Sequence, residues 1–172
     1  MIDVGPVLRQ GAPDCRDVVL GDGPRTIGQA GCLLACLAMV SHAMRGTRRT
    51  LVEVNAEVWR DGGFLHSGLL VDAAARTLGL HVSARGSFGV EALKAELGLG
   101  RPVVLGIDYR AGHSSGLTTA DHFVVAVGID GPLSVRVANP ASGLVEALFL
   151  DRTLYRGHVA HLVEMLTFQG AE

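Results

Sequence analysis

The chain has 172 residues, of which 48% are hydrophobic and 19% are charged, and its formal net charge is -2. This length suits one domain with one sizeable core, and the composition argues against a disordered protein. A nearly neutral chain with scattered arginines is a poor match for a nucleic-acid-binding or anionic-membrane-binding surface. We therefore expect a single domain over residues 1–172, with no nucleic acid among its partners and no membrane insertion.

The N-terminal stretch MIDVGPVLRQGAPD lacks the charged and apolar regions of a signal peptide, and no apolar run reaches the roughly 18 residues that span a bilayer. We expect a protein that is cytoplasmic as synthesised, with secretion or packaging by another route left open. The three cysteines, Cys15, Cys32 and Cys36, are an odd number, which does not indicate a disulfide framework. At least one thiol is therefore free in the monomer.

The first part of the chain is mostly helical by its sequence pattern. Residues 1–25 are rich in Gly, Pro and Asp and predict an irregular arm. From Cys32 the apolar residues recur three and four apart, which predicts a largely buried helix that ends near Gly46. Three more helices are predicted in TRRTLVEVNAEVWRDGGF, SGLLVDAAARTLGL and GVEALKAELGLG, with a short strand, LHVSARG, before the last of them.

The character of the chain changes after residue 100. The runs RPVVLGIDYR, DHFVVAVGID and LSVRVANP are β-rich and separated by Gly and Pro turns, which predicts an antiparallel sheet. The last apolar segment, HVAHLVEMLTF, fits either a strand or a short helix. A helical half followed by a sheet half is typical of an α+β fold.

Three residues in separate segments suggest nucleophilic catalysis: Cys32 at the head of the first long helix, His122 at the start of a strand, and Asn139 at the end of the next. A helix N-terminus is expected to lower the pKa of a thiol through its N–H groups and dipole. A nearby imidazole could take the thiol proton and form a thiolate–imidazolium pair, and an amide oxygen could orient the imidazole ring. Taken singly, these residues also fit a buried thiol, a strand-end histidine and a turn former before Pro140.

Other residues receive structural interpretations. Cys36 lies one turn inside the helix and is expected to pack in the core, and without further zinc-like spacing we expect no metal site. Asp121 should point to the opposite strand face from its neighbour His122, and so lie outside any triad. Trp59 and Phe64 are expected in the core rather than in a substrate groove. The polar segment DYRAGHSSGLTTAD could gate a site.

The segments IGQAGCLLACLAMV, DHFVVAVGID and VRVANPASG, in this order, resemble the papain-like cysteine peptidases, in particular the branch related to bacteriocin leader-processing (double-glycine) peptidases. In that branch a Gly-Cys or Cys-Gly pair opens a helix, a strand begins His-Phe-Val-Val, and the next strand ends in Asp-Pro-x-x-Gly. The likeness covers most of the chain from about residue 9 to residue 150. It implies a papain-like α+β fold, in which an N-terminal helical half carries the nucleophile at a helix N-terminus and packs on an antiparallel sheet.

The resemblance also implies roles for individual residues. Cys32 corresponds to the nucleophile, His122 to the general base and acid, and Asn139 to the orienting third member, which is Asp in the leader-processing branch and Asn in papain. A glutamine is expected to join the Cys32 N–H in an oxyanion hole. Gln10, in RQGAPDC, is favoured for this role, and Gln29, three residues before Cys32, is the alternative.

The implied activity is that of a cysteine peptidase or related thiol amide hydrolase, acting through an acyl-enzyme on a peptide or peptide-like substrate without a cofactor. Two alternatives stay open. One is a catalytically inactive papain-fold protein that binds peptides or serves as a structural component of a phage or secretion particle. The other is a cell-wall amidase, deamidase or transamidase with the same triad. Membership of a larger assembly is left open in each case.

Overall fold

The computed structural model describes residues 1–65, 68–87, 89–109, 120–150, 154–155, 158–159 and 161–170. The helices are α1 (Ile27–Ala30), α2 (Cys32–Arg45), α3 (Leu51–Arg60), α4 (Val71–Thr77) and α5 (Val90–Gly98). The strands are β1 (Phe64–Leu65), β2 (Gly68–Leu69), β3 (Leu80–Gly86), β4 (Val103–Asp108), β5 (His122–Gly131), β6 (Ser134–Asn139), β7 (Leu144–Phe149), β8 (Leu154–Tyr155), β9 (His158–Val159) and β10 (His161–Gly170).

Six of these strands form one antiparallel sheet in the order β3-β10-β4-β5-β6-β7. The α+β prediction is therefore confirmed. In the ambiguous C-terminal segment, residues 161–168 belong to strand β10, which lies between β3 and β4 in the sheet. The strands β1 and β2 pair with each other, as do β8 and β9.

The helix predicted from Cys32 begins and ends where the sequence indicates. Gly46 follows its last residue in the left-handed conformation, with φ of 69°, and donates its N–H to the carbonyl of His42. Glycine adopts this conformation without steric cost, so the chain can turn sharply away from the helix. The next helix, α3, begins with a capping box, because the Thr50 hydroxyl accepts from the Glu53 N–H at 3.2 Å while the Glu53 carboxylate accepts from the Thr50 N–H at 2.7 Å.

Both faces of the sheet are covered by apolar packing. On one face, α2 lies against β5, and its buried residues join those of α3 and α4 in the larger core. On the other face, Leu93 and Leu97 of α5 pack on Val103, Leu105 and Val124 of the sheet. Burial on both faces explains the nearly continuous apolar runs of β4 and β5.

The arm, residues 1–25, is irregular as predicted, and its only bridge is an isolated one between Val19 and Thr26. It is nevertheless anchored at several points. The Ile2 N–H donates to the Val127 carbonyl at 2.6 Å, and the buried Cys15 thiol lies 3.6 Å from the carbonyl oxygens of Arg9 and Gln10. The Gln10 N–H donates to the Pro140 carbonyl at 3.0 Å. The arm therefore connects β5 to the turn that follows β6.

Two expectations about local structure change. Trp59 was expected in the core, but this prediction is wrong: the side chain is 56% exposed, because it lies on the outer face of the last turn of α3. Phe64 packs partly buried against the larger core but also lines a surface cleft, so the prediction of the core rather than a groove is confirmed only in part. Strand β7 was not anticipated at all. The polar segment expected as a gate, residues 108–121, lies mostly outside the described residues, because 110–119 are among those that are not described.

We expect the buried Cys36 thiol to make the protein less stable at alkaline pH. Complete burial, and to a smaller degree the nearby Cys32 thiol, raises the pKa of Cys36 well above its ordinary value. Above about pH 8.5 the unfolded chain releases this proton while the folded chain keeps it, so the free energy of unfolding falls with pH. The slope from this thiol reaches about 1.4 kcal/mol per pH unit.

Urea unfolding between pH 7.5 and 10.5 measures this slope. Cys36→Ala and Cys36→Ser should both show a shallower decline than the wild type, although their absolute stabilities differ, because neither side chain titrates in this range. Equal slopes in all three proteins would show that another group causes the alkaline loss.

Candidate active site

The short helix α1 positions Cys32. Its cap uses Gln29, whose side-chain oxygen accepts from the Thr26 N–H at 3.0 Å, and its buried residue Ile27 anchors it in the core. Gly31 joins α1 to α2, and a Cβ atom there would lie 2.5 Å from the Ile27 carbonyl oxygen. Only glycine permits so close a junction, which brings α2 to begin at Cys32.

The environment of the Cys32 thiol differs from the expectation. Cys32 is 9% exposed, and burial raises the pKa of its thiol. Hydrogen bonds from the backbone N–H groups of Phe123, Leu33 and Cys32 itself act in the opposite direction, but they do not compensate for the desolvation. The N–H groups at the helix N-terminus therefore lower this pKa as expected, but burial has the larger effect and the pKa of the thiol is raised. A thiolate at this position needs a base to take its proton.

His122 and Asn139 form a buried hydrogen-bonded pair. His122 is the first residue of β5 and Asn139 the last residue of β6, and they are 8% and 0% exposed. The His122 Nε2 atom lies 2.8 Å from Asn139 Oδ1. The same oxygen accepts the Ala141 N–H at 2.9 Å, and Asn139 Nδ2 donates to Glu146 Oε2 at 3.1 Å.

These contacts determine which His122 nitrogen carries hydrogen. A backbone N–H can only donate, so the Asn139 atom that meets Ala141 is the oxygen. Because that oxygen also faces His122 Nε2, this nitrogen must donate to it. In the neutral ring the basic nitrogen is then Nδ1.

Tyr109 and Asp121 border the pair. The Tyr109 ring stacks on His122, with a centroid separation of 6.3 Å and an interplanar angle of 26°. Asp121 is exposed, and its carboxylate accepts the Tyr109 N–H at 3.2 Å. Asp121 thus differs from the buried His122 and Asn139 in its exposure to solvent.

The two glutamines differ in their surroundings, although both line the same cleft as Cys32. Gln10 is held at both ends, because its backbone N–H donates to Pro140 and its Nε2 donates to the Gly28 carbonyl at 3.0 Å. Its Oε1 is buried without a hydrogen-bond partner in the described part of the chain. Gln29 is exposed, and its amide oxygen caps α1.

The cleft has a volume of about 640 Å³ and is lined by Cys32, His122 and both glutamines. Its remaining lining is mixed in character. The apolar contributors include Leu20, Phe64, Leu65 and Leu69, and the charged ones Arg25, Arg85, Asp121 and Glu164. Arg85 and Glu164 form an ion pair across β3 and β10. A second cavity, of about 270 Å³, lies between the arm, α2 and the start of α3, and its lining includes neither Cys32 nor His122.

Sequence reasoning missed two neighbours of the pair, Tyr109 and Glu146. The Glu146 contact depends on the pairing of β7 with β6, in which Glu146 lies opposite Val137. Because β7 was not predicted, no pattern in the sequence could place Glu146 beside Asn139. Tyr109 follows a predicted strand, but its stacking on His122 depends on the β4–β5 register.

Comparison with known proteins adds no relative: no family model matches the chain, and no curated protein matches it in sequence. Across the described ranges, no group of three or more His, Cys, Asp or Glu side chains is placed to hold a metal ion. No helix among the described residues is both long and apolar enough to cross a membrane.

Proposed function

We propose that the protein is a papain-like cysteine peptidase, or a closely related thiol amide hydrolase, with Cys32 as nucleophile. The observation that carries this proposal is the buried 2.8 Å hydrogen bond between His122 and Asn139, beside a cleft that Cys32 also lines. The backbone N–H of Phe123, the residue after His122, acts to lower the pKa of the Cys32 thiol, which supports a position of this thiol near the start of β5. The arrangement supports a triad of Cys32, His122 and Asn139.

Catalysis begins with transfer of the Cys32 proton to Nδ1 of His122. Because burial raises the pKa of the thiol, the thiolate forms together with the imidazolium rather than alone. The sulfur attacks the carbonyl carbon of the scissile amide, and the imidazolium then protonates the departing nitrogen as the C–N bond breaks. In the second half, His122 takes a proton from water and the hydroxide attacks the thioester carbon. The C–S bond breaks, the carboxylic acid product leaves, and the imidazolium returns its proton to the Cys32 sulfur. Asn139 holds the ring throughout.

The negative oxygen of the tetrahedral intermediate needs donors. The Cys32 N–H lies in the first turn of α2, where backbone N–H groups have no intrahelical acceptor. The Gln10 amide is the second donor in this proposal, because its Nε2 group carries two hydrogens and the contact with Gly28 uses one. Attachment to Gly28 and Pro140 holds Gln10 in place before substrate binds, as electrostatic stabilisation of this kind requires.

The cleft supports a peptide-like substrate. Its volume of about 640 Å³ falls within the range of small-ligand and substrate sites. Its lining combines apolar side chains such as Phe64 and Leu69 with charged ones such as Arg25 and Asp121. A substrate chain that carries both apolar and polar side chains matches such a surface better than a purely ionic or purely apolar molecule.

Differential alkylation tests the proposal. At pH 7 we expect iodoacetamide to label Cys32 at least about tenfold faster than Cys15 and Cys36, because only an imidazole-activated thiol is substantially ionised there. Peptide mapping by mass spectrometry gives the rate at each cysteine. His122→Ala should remove the preference for Cys32.

The matched control is His81→Ala, which removes an exposed imidazole on β3 and should leave the labelling pattern intact. Equal, slow labelling of all three cysteines in the wild type would reject the enzyme proposal and favour a peptide-binding role. Turbidity clearing of peptidoglycan, run beside a peptide library, separates cell-wall amidases from peptidases.

A further inference from the structure

We propose that Glu146 is a positioning residue of this site: its carboxylate holds the Asn139 amide with the oxygen toward His122. This inference rests on the proposed function, and it adds a fourth residue to the chain of contacts behind the nucleophile. The contact that carries it is the hydrogen bond from Asn139 Nδ2 to Glu146 Oε2 at 3.1 Å.

The need for such a residue follows from the shape of an asparagine side chain. Its oxygen and its NH2 group are nearly equal in size, so packing alone does not choose between the two orientations of the amide. In the observed orientation Ala141 and His122 donate to the oxygen, and Glu146 accepts from the nitrogen. A flipped amide would set donors against donors at Ala141 and acceptor against acceptor at Glu146.

The orientation of Asn139 matters because it decides the tautomer of His122. While the oxygen faces Nε2, the hydrogen of the neutral ring resides on Nε2 and the basic lone pair on Nδ1. A flipped amide would offer an N–H to the same nitrogen and favour the hydrogen on Nδ1. The ring could then no longer take the proton of Cys32 through Nδ1.

Glu146 also accounts for an amide rather than a carboxylate at position 139. Aspartate at position 139, which is fully buried, would place its carboxylate against that of Glu146 across a 3.1 Å contact. Two carboxylates so close cannot both ionise easily, so one would take up a proton or Glu146 would turn away. The identities of residues 139 and 146 are therefore coupled.

The first experiment reads the tautomer directly. Long-range ¹H–¹⁵N NMR of Cys32→Ala at pH 9, where imidazoles are neutral, should show His122 with its hydrogen on Nε2. Adding Glu146→Ala should give a measurable Nδ1–H fraction, whereas adding Glu146→Gln should not, because the Gln side-chain oxygen still accepts from Asn139. A His122 tautomer that is the same in all three proteins would overturn the inference.

The second experiment measures iodoacetamide labelling of Cys32 at pH 7. Glu146→Ala should slow it about three- to tenfold, and Glu146→Gln less than about twofold. Asn139→Asp should slow it about tenfold or more, and adding Glu146→Gln to Asn139→Asp should recover most of the loss. If the double variant does not recover the labelling rate, the positioning role of Glu146 is rejected. This comparison tests the role even if Glu146→Ala does not fold.

Glu91→Ala is the matched control, because it removes a carboxylate whose side chain is 90% exposed on α5. It should change neither the tautomer nor the labelling rate. The two proposals fail differently. If Cys32 is labelled slowly in the wild type but the Nε2–H tautomer of His122 depends on Glu146, only the enzyme proposal is rejected. If Cys32 is labelled fast and Glu146→Ala does not change the rate, only the positioning role is rejected.

Discussion

Replacement of His122 by alanine is expected to lower kcat/KM by a factor on the order of 10⁴ or more. The physical reason lies in the thiol. Burial raises the pKa of Cys32, and the backbone hydrogen bonds around its sulfur do not offset that effect, so without the imidazole almost no thiolate exists at neutral pH. The same substitution removes the acid that protonates the leaving amine. The measurement is peptide-library cleavage by mass spectrometry, followed by kinetics on the best peptide.

His81→Ala serves again as the control, since it removes an exposed imidazole from β3. Its kcat/KM should stay within about twofold of the wild type, as for other surface substitutions away from a site. Raising the pH should partly restore alkylation of Cys32 in His122→Ala, because the thiol then ionises without a base. A variant that keeps wild-type kcat/KM would show that His122 transfers no proton.

Replacement of Gln10 by alanine is expected to lower kcat by a factor on the order of 10² to 10³ with little change in KM. The Gln10 amide is expected to stabilise the transition state rather than the bound substrate, because it donates to an oxygen that becomes negative only during the reaction. Gln10→Glu should be as impaired as Gln10→Ala, because a carboxylate cannot donate and would repel the oxyanion. Steady-state kinetics that resolve kcat from KM measure the effect.

Gln29→Ala gives the comparison that distinguishes the two glutamines. Its side-chain oxygen caps α1, so the expected effect is a loss of stability of about 1 kcal/mol and less than about a threefold change in kcat. The reverse ranking, with the larger kcat effect in Gln29→Ala, would move the oxyanion role to Gln29.

Local features of the chain were the most predictable from sequence. The helix from Cys32 to Arg45 follows from apolar residues three and four apart and from Gly46 at its end. Strand β3 likewise appears where LHVSARG predicts it. In each case the signal lies within the element itself, because side-chain periodicity and a terminating glycine act over one or two turns of chain.

Features that depend on distant partners were not predictable. Apolar and polar residues alternate little in β7, and this segment is a strand because it pairs with the edge of β6. The raised pKa of Cys32 was not predictable either, because the sequence shows the helix N-terminus, which lowers the pKa, but not the depth of burial, which raises it more. His122 and Asn139 were predicted as site residues from the order of the motifs and the family resemblance. The contact between Asn139 and Glu146 was not predictable, because it depends on the register between β6 and β7.

The position of β10 sets an order of events during synthesis. Strands β3 and β4 are separated in the sheet by β10, although β10 comes after both of them in the chain. Until residues 161–170 have been translated, the two earlier strands lack the partner that lies between them, and the pairings β3–β10 and β10–β4 cannot form. Contacts of such large sequence separation are slow to form. We therefore expect the sheet to close only after this strand has left the ribosome, so the cleft, which Glu164 of β10 lines, is completed late in folding.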